Sequence, residues 1–315
     1  MDDTLIIIAG PTAVGKTDLS LALATKLNAE IISADSMQVY RHMNIGTAKP
    51  TAVQQQLVKH HLLDVVDPDQ GFSVADYQSH FDLAIRDILN RGKIPIMVGG
   101  TGLYIRACTQ SFVFDPGGAD PLFREQLRLE AKQSGTAQLH ERLGMIDPVS
   151  ALKIHPNDLV RIIRALEVFH STGIPISELQ PKRNLNAFER LIYLFFDRDR
   201  IELYQRIEQR VDAMIAVGFA DEVRTLLEMG YSPNLKPMQS LGYRQIIAFL
   251  QQDLPWESAV NEIKKATRNY AKRQLTWFRK EPVDCWINIS SGSAQELIGE
   301  ILNYVEGRLH QMSNK

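Results

Sequence analysis

The chain has 315 residues, of which 44% are hydrophobic and 23% are charged, a composition that excludes wholesale disorder and predicts one large domain or two ordinary ones. Lysine and arginine total 35 against 37 acidic residues, so the net charge of −2 excludes a histone-like polycation but not a nucleic-acid partner bound by a local basic cluster. Two cysteines, Cys108 and Cys285, are too few for a disulfide scaffold or a four-ligand zinc site. So few cysteines suit a reducing compartment, the acidic N-terminus does not resemble a signal peptide, and no apolar run of roughly 18 residues could span a membrane. We therefore predict a cytoplasmic protein.

Strands and helices alternate in the first third of the chain. Short, continuous β-branched runs predict strands buried on both faces at Leu5–Ala9, Glu30–Asp35 and Ile94–Val98. Helical patterns over Lys16–Leu27 and 75–90 separate these strands. Alternation of this kind is typical of a parallel sheet, so we predict an α/β fold.

The pattern changes in the middle of the chain. Residues 112–190 contain helical segments at Pro121–Ser134 and Asp158–His170 but no clear strand, and buried-strand character returns at Leu191–Phe196. We therefore predict a mostly helical insertion domain at 116–190 within an α/β core domain formed by 1–115 and 191–315. In the second core segment, helical patterns extend over Ile201–Gln251, followed by a long helix at about Trp256–Lys280, a strand at Cys285–Ile289 and a helix at 293–309.

A phosphate-binding loop follows the first strand. Eight residues fit the pattern G-x-x-x-x-G-K-[ST]: Gly10, Pro11, Thr12, Ala13, Val14, Gly15, Lys16 and Thr17. In such a loop, backbone N–H groups and the N-terminus of the next helix bind an anion, the lysine reaches the outer phosphates and the Thr17 hydroxyl can hold Mg²⁺. The motif does not identify the substrate. The chain could be an ATPase, a small-molecule kinase, or an enzyme whose substrate is itself a diphosphate. The Asn-Lys-x-Asp motif of GTPases is absent.

Two further strand ends carry residues suited to a site. Asp35 ends the second predicted strand, and Gly99–Gly102 follows the third. Because ligands bind at the carboxyl edge of open α/β sheets, we expect both beside the phosphate loop, where Asp35 could ligate Mg²⁺ or accept a proton. An aspartate here also suits a helix cap, and the glycines also suit a tight turn. Asp197 ends another strand and is a further candidate, whereas the pair His60 and His61 is expected to have a structural role.

The long predicted helix is basic on one stretch. It contains no acid between its first and last cation and carries Lys264, Lys265, Arg268, Lys272, Arg273, Arg279 and Lys280. Tyr270, Trp277 and Phe278 are interleaved, and cations with aromatic rings suit phosphate neutralisation and base stacking. A solvated helix with its aromatic residues in the core has the same pattern. Combined with the phosphate loop, the helix favours an enzyme acting on nucleic acid over a P-loop kinase or a nucleotide-switched RNA-binding regulator.

These segments together resemble the tRNA dimethylallyltransferase (tRNA isopentenyltransferase) family in its bacterial type. The matching stretches follow one order along nearly the whole chain: Gly10–Thr17, Ile32–Arg41, Ile45–Pro50, His60–Asp64, Val98–Tyr104, Arg164–Val168, Ser240–Tyr243 and Ala271–Phe278. Val14, where Ser is common, and Leu241, where Ile is common, are small departures. The resemblance implies a P-loop NTPase-like parallel sheet with a helical insertion.

The resemblance implies transfer of a dimethylallyl group from dimethylallyl diphosphate to the exocyclic amine of adenosine 37 in tRNA. The loop with Lys16 would hold the diphosphate, Thr17 would help to bind Mg²⁺, and Arg210 matches the diphosphate-contacting arginine of the family. Asp35 would orient the amine and accept its proton, with Thr101 hydrogen-bonding nearby.

The resemblance also implies contacts with the anticodon stem-loop of tRNA, from which the target base is flipped. Besides Asp35, Thr101 and, on the insertion, Arg124, the implied contacts are Ser36, Met37, Gln38, Val160, Arg161, Ile162, Ile163, Arg164, Gln239, Ser240, Leu241, Gly242, Tyr243, Arg244, Lys272, Arg273, Gln274, Leu275, Thr276, Trp277, Phe278 and Arg279. We expect a monomer with no membrane partner.

Overall fold

The protein consists of two compact units. The computed structural model describes residues 4–110, 120–179, 188, 190–290 and 292–313. A core unit comprises residues 1–109 and 188–315, and an insertion unit comprises residues 110–187. The insertion predicted at 116–190 lies within the second unit except for its last residues.

The first segment of the core unit alternates strands with helices. Its elements are β1 (Thr4–Ala9), α1 (Lys16–Lys26), β2 (Ala29–Ala34), α2 (Ala52–Leu57), β3 (His60–His61), α3 (Val74–Asn90), β4 (Ile94–Gly99) and α4 (Gly102–Thr109). The predicted strands and helices of this segment are confirmed. The two-residue β3 was not predicted, because its pairing with Ile31 and Ile32 of β2, and not a local pattern, makes it a strand.

The insertion unit is helical in its described residues. It contains α5 (Pro121–Ser134), α6 (Thr136–Ile146), α7 (Pro148–Lys153), α8 (Leu159–Thr172) and α9 (Ile176–Leu179). Aspartates cap three of these helices, since the side chains of Asp120, Asp147 and Asp158 accept hydrogen bonds from backbone N–H groups of the first turn. Its small core includes Phe123, Leu127, Leu139, Leu143 and Ile162.

The second segment of the core unit begins with a strand and is otherwise mainly helical. Its elements are β5 (Arg190–Asp197), α10 (Arg200–Ala216), α11 (Phe219–Glu228), α12 (Tyr243–Leu250), α13 (Trp256–Phe278), β6 (Cys285–Asn288) and α14 (Ala294–Ser313). In the described residues, no helix is long and apolar enough to span a membrane.

A six-stranded parallel sheet forms the centre of the core unit. The strand order is β3-β2-β4-β1-β5-β6, and all of the pairs are parallel. Strand β1 is buried on both faces: Leu5, Ile7 and Ala9 join one hydrophobic cluster, and Ile6 and Ile8 join the other. The sheet therefore has the two covered faces that the continuous apolar runs predicted.

The register of the three central strands places three loops side by side. Ala9 at the end of β1 and Ala34 at the end of β2 both pair with Gly99 at the end of β4. The residues that follow are Gly10, Asp35 and Gly100. The phosphate loop, the strand-end carboxylate and the second glycine loop consequently begin next to one another at the carboxyl edge of the sheet.

Candidate active site

A cavity of about 860 Å³ opens at this edge within the core unit. The phosphate loop and strand ends line one side, and α10 and α13 line the other. Among the predicted site residues, the lining includes Lys16, Thr17, Asp35 and Arg210. The structure adds residues that we had not assigned to the site, such as Arg206 and Tyr270.

The phosphate loop has the geometry that its sequence predicts. Gly15 precedes α1 with φ 115°, a left-handed conformation that favours glycine. Arginines from the second core segment contact the loop backbone: Arg198 Nε donates to Val14 O at 3.1 Å and Arg206 Nε donates to Ala13 O at 3.2 Å. Lys16 Nζ donates to Gly10 O at 2.9 Å and Pro11 O at 2.8 Å. The loop therefore lies among three cationic side chains.

Lys16 and Arg210 are both partly buried and line the cavity together. Burial and the positive charge of Arg210 lower the pKa of Lys16 to about 7, although Asp35 acts in the opposite direction. Burial also lowers the pKa of Arg210, and Asp35 again partly offsets this effect. Charged groups are costly to bury without a partner, so the two cations create a preference for a bound anion. A diphosphate has the charge that this arrangement requires.

Asp35 lies directly after β2 in a compact network of hydrogen bonds. Its Oδ1 accepts the backbone N–H of Met37 at 2.8 Å. Thr101 Oγ1 accepts the N–H of Ser36 at 3.1 Å, and the Thr101 N–H donates to Ala34 O at 3.1 Å. The carboxylate is thus held at the edge of the cavity by the backbone turn that follows it, where it can accept a proton.

Tyr270 of α13 is a site residue that sequence reasoning missed. It lines the cavity, and burial raises the pKa of Tyr270 above its ordinary value, whereas the nearby Thr101 side chain lowers it in part. The hydroxyl therefore remains protonated near neutral pH. The sequence pattern showed Tyr270 only as one of three aromatic residues in the basic helix, without indicating which face of the helix it occupies.

The helix α13 divides the predicted RNA contacts into two groups. Lys272, Arg273, Thr276 and Arg279 are exposed, whereas Gln274 and Phe278 are buried and Trp277 packs over Gly102. Phe278 packs against Phe195 with ring centroids 5.0 Å apart. Trp277 and Phe278 thus serve the core, as the alternative interpretation of this helix held, whereas Tyr270 lines the cavity, and the exposed polar face remains available for RNA.

Other cations of the basic helix are paired with acids of α10. Lys264 Nζ lies 2.7 Å from Asp212 Oδ1, and Arg268 Nη1 lies 2.6 Å from Glu208 Oε1. These pairs neutralise two of the cations in the N-terminal half of the basic stretch, and Lys265 there is exposed. Charge available for RNA phosphates is consequently concentrated in its C-terminal half.

A second loop beside the cavity is held by Glu222 of α11, which the sequence analysis did not single out. Its carboxylate accepts the N–H groups of Asn44, Ile45 and Gly46 at 2.6–3.1 Å, together with the Tyr243 hydroxyl at 2.7 Å. Charge-assisted hydrogen bonds of this kind are strong. They fix the backbone that brings Gly46 into the cavity lining.

The insertion residues implied as tRNA contacts have mixed exposure. Val160 and Arg161 are exposed, but Ile162 and Ile163 lie in the insertion core because they occupy the buried face of α8. Arg124 donates to both carboxylate oxygens of Glu167 at 2.6 and 2.8 Å, and Arg164 Nη1 donates to Oε2 of the same residue at 2.7 Å. In this structure the Arg124 guanidinium is therefore committed in large part to Glu167.

The remaining strand-end acid and the histidine pair lack the features of a catalytic centre. Asp197 accepts the N–H of Arg198 at 2.8 Å and is not among the residues that line the cavity. His61 Nε2 lies 2.7 Å from Glu30 Oε2, which also binds Arg91, in agreement with the expected structural role. Within the described part of the chain, no group of three or more His, Cys, Asp or Glu residues could hold a metal ion.

Comparison with known proteins identifies the family. A family model described as IPP transferase matches residues 38–281. The tRNA dimethylallyltransferase of Symbiobacterium thermophilum is 49% identical over 92% of this chain and 91% of that protein. The enzyme of the same name from Oceanobacillus iheyensis is 44% identical over 100% of both chains. The chain belongs to the IPP transferase family.

Solved structures support the assignment to the IPP transferase family. The full-length tRNA isopentenylpyrophosphate transferase from Bacillus halodurans has a TM-score of 0.75 and 40% identity, covering 99% of each chain. A eukaryotic dimethylallyltransferase acting on tRNA has a TM-score of 0.82 and 29% identity, covering 98% of this chain and 80% of the other. The predicted family and P-loop NTPase-like α/β fold are confirmed. The protein is a transferase, and the kinase alternative is not favoured.

Proposed function

We propose that this IPP transferase family member moves a dimethylallyl group from dimethylallyl diphosphate to the exocyclic amine of adenosine 37 in tRNA. The products are isopentenyladenosine and diphosphate. The observation that carries the proposal is the meeting of a phosphate loop, two partly buried cations and a strand-end carboxylate in one cavity. The names of the relatives support the choice of donor and acceptor.

The proposed reaction is a substitution at C1 of the dimethylallyl group. The bond from C1 to the diphosphate oxygen breaks, and its electron pair leaves with the diphosphate. The lone pair on the adenine amine forms the new bond to C1, and one amine proton passes to Asp35. Lys16 and Arg210 stabilise the charge that develops on the departing diphosphate, which is the largest electrostatic change in the step.

The residues present fit a Mg²⁺ ion that is shared with the substrate. Mg²⁺ usually keeps several waters and is held by one or two protein groups together with phosphate oxygens. Thr17 lines the cavity next to Lys16 and can supply such a group, and no acidic cage is needed. When bound there, Mg²⁺ would neutralise charge on the diphosphate.

The acceptor is proposed to approach from the exposed face of α13. Lys272, Arg273, Thr276 and Arg279 lie on this face, and Arg273 also lines the cavity. Met37, Leu241 and Arg244 line the same cavity and would surround a base flipped out of the anticodon loop. On the insertion, Val160 and Arg161 are the exposed members of the implied contact segment. A cytoplasmic monomer remains our prediction.

A labelling experiment tests the proposed function. Purified protein with Mg²⁺, radiolabelled dimethylallyl diphosphate and unmodified tRNA should yield labelled tRNA, with the label on adenosine 37 after nuclease digestion. An otherwise identical tRNA with guanosine at position 37 is the matched control and should remain unlabelled. Transfer of label from [γ-³²P]ATP in place of the prenyl donor would contradict the proposal and favour a kinase.

The affinity for the donor should decrease above neutral pH. Lys16 in the free protein has its pKa lowered to about 7, and the negative charge of a bound diphosphate favours its protonated form. Above this pH, binding must therefore take up a proton, and the dissociation constant should rise about tenfold per pH unit between pH 7.5 and 9. Calorimetry in buffers of different ionisation enthalpy would detect the uptake. A dissociation constant that stays flat across this range would contradict the role of Lys16.

A further inference from the structure

Gln274 lies between the phosphate loop and the second glycine loop. Its side chain is on the buried face of α13, and the residue is 6% exposed. Oε1 accepts the backbone N–H of Thr12 at 2.9 Å, and Nε2 donates to Gly100 O at 3.0 Å. One amide thus joins two loops that are far apart in the chain and that begin at neighbouring strands.

The fit around this amide is close. A Cβ atom placed on Gly100 would overlap Gln274 Nε2 and would lie 3.2 Å from Gly10 O. The glycine loop contacts α13 at a further point, because Trp277 occupies the space where Gly102 would carry a side chain. The need for glycine at positions 100 and 102 therefore arises from the close approach of α13.

We propose that Gln274 is a positioning residue, which sets the phosphate loop against the Gly99–Gly102 loop, and is not a direct tRNA contact. The proposal rests on the proposed function in one respect: the phosphate loop holds the donor, and the edge with Asp35 and Thr101 receives the acceptor. The amide thereby controls how the donor is presented to the acceptor amine. Small errors in such placement are costly for the rate of a bimolecular substitution.

The chemistry of the two contacts selects glutamine. The position needs an acceptor for the Thr12 N–H and a donor for Gly100 O at the same time, and an amide side chain supplies both in one plane without a change of protonation. The orientation of the amide follows from its partners, because the reversed orientation would place oxygen against oxygen and N–H against N–H. Asn is shorter by one methylene, Glu lacks the donor when ionised, and Met lacks both groups.

Two variants with a matched control test the proposal. The readouts are donor affinity without tRNA, tRNA affinity without donor, and the single-turnover rate at saturation of both. Gln274→Met should weaken donor binding about tenfold and slow the single-turnover rate about 10–100-fold, with tRNA affinity within twofold of wild type. Lys272→Met, on the exposed face of the same helix, should weaken tRNA binding and leave donor affinity without tRNA unchanged.

Gln274→Glu provides a readout that a merely structural role would not change. An ionised Glu repels Gly100 O, whereas a protonated Glu accepts from the Thr12 N–H and donates to Gly100 O as the amide does. Burial should raise the pKa of the substituted carboxyl group. The loss of donor affinity relative to wild type should therefore become smaller as the pH falls from 8 to 6. Each value is compared with wild type at the same pH, because Lys16 also titrates in this range.

Distinct results would overturn the proposal. Wild-type donor affinity in Gln274→Met, combined with weakened tRNA binding, would show that the side chain contacts RNA instead. If Gln274→Met does not fold, a deficit in Gln274→Glu that is equal at pH 6 and pH 8 would overturn the positioning role. Inorganic diphosphate serves as a second probe: if the wild-type protein binds it but transfers no prenyl group, the proposed function fails, while the Gln274 variants still report on the placement of the loop.

Discussion

Asp35→Asn is expected to lower kcat by about 10²–10⁴-fold while the affinity for the donor remains near that of wild type. The substituted amide is nearly isosteric and can still accept the Met37 N–H, which Asp35 Oδ1 accepts at 2.8 Å. What it loses is the ability to take a proton from the adenine amine. Rapid-quench measurement of single-turnover prenyl transfer, with both substrates saturating, isolates this step from binding.

Asp197→Asn is the matched control for the Asp35 variant. Asp197 also follows buried residues of a parallel strand and accepts a backbone N–H, that of Arg198 at 2.8 Å, but it does not line the cavity. The single-turnover rate of Asp197→Asn should remain within about threefold of wild type, because the substitution lies outside the site. A near-normal rate in Asp35→Asn would remove this carboxylate from the mechanism and direct attention to another base.

Lys16→Met is expected to lower kcat/KM for the donor by about 10²–10³-fold. The ammonium group is partly buried, lines the cavity with Arg210 and, in our proposal, binds the diphosphate in the ground state and as it departs. With Lys16 removed, that charge is left to the arginines that line the cavity, such as Arg206 and Arg210. Initial rates at limiting donor concentration measure the loss. Lys26→Met, at the exposed end of the same helix, is the matched control and should remain near wild type.

Lys16→Met should also show whether Lys16 is retained for function or for the stability of the fold. The pKa of Lys16 is lowered from 10.5 to about 7 on folding, so the unfolded chain binds more protons between these values. The free wild-type protein should therefore gain stability as the pH rises from 7 towards 10.5, and Lys16→Met should lack this gain. A variant that loses activity yet melts no lower than wild type near pH 7 would show that the lysine is retained for the substrate. A large drop in melting temperature would contradict this.

Local patterns in the sequence were sufficient for several parts of the molecule. The continuous apolar runs of β1, β2 and β4 predicted a parallel sheet, because a strand with both faces covered needs apolar side chains at every position. The phosphate loop was recognisable because its glycines, Lys16 and Thr17 act within eight consecutive residues. Asp35 could be placed beside the loop because parallel strands share a carboxyl edge.

Only the tertiary structure decided the roles of residues whose partners are distant in the chain. Gln274 was predicted as a tRNA contact, yet its amide bonds Thr12, which is 262 positions away. The same holds for Tyr270, which lines the cavity, and for Glu222, which holds the loop at Asn44 beside it. A helical period shows which residues share a face, but the neighbour that the face meets is set by the packing of remote elements.

The basic helix α13 shows most clearly which properties the sequence predicts and which depend on the tertiary structure. The sequence by itself determined that a helix rich in cations and aromatic residues follows the phosphate-binding fold, together with the family to which the chain belongs. The structure decided that Phe278 and Gln274 face inwards, that Arg268 is paired with Glu208, and that Lys272 and Arg273 face solvent. The reason is physical: composition and periodicity are local properties, whereas burial and charge pairing depend on which distant surfaces the fold brings together.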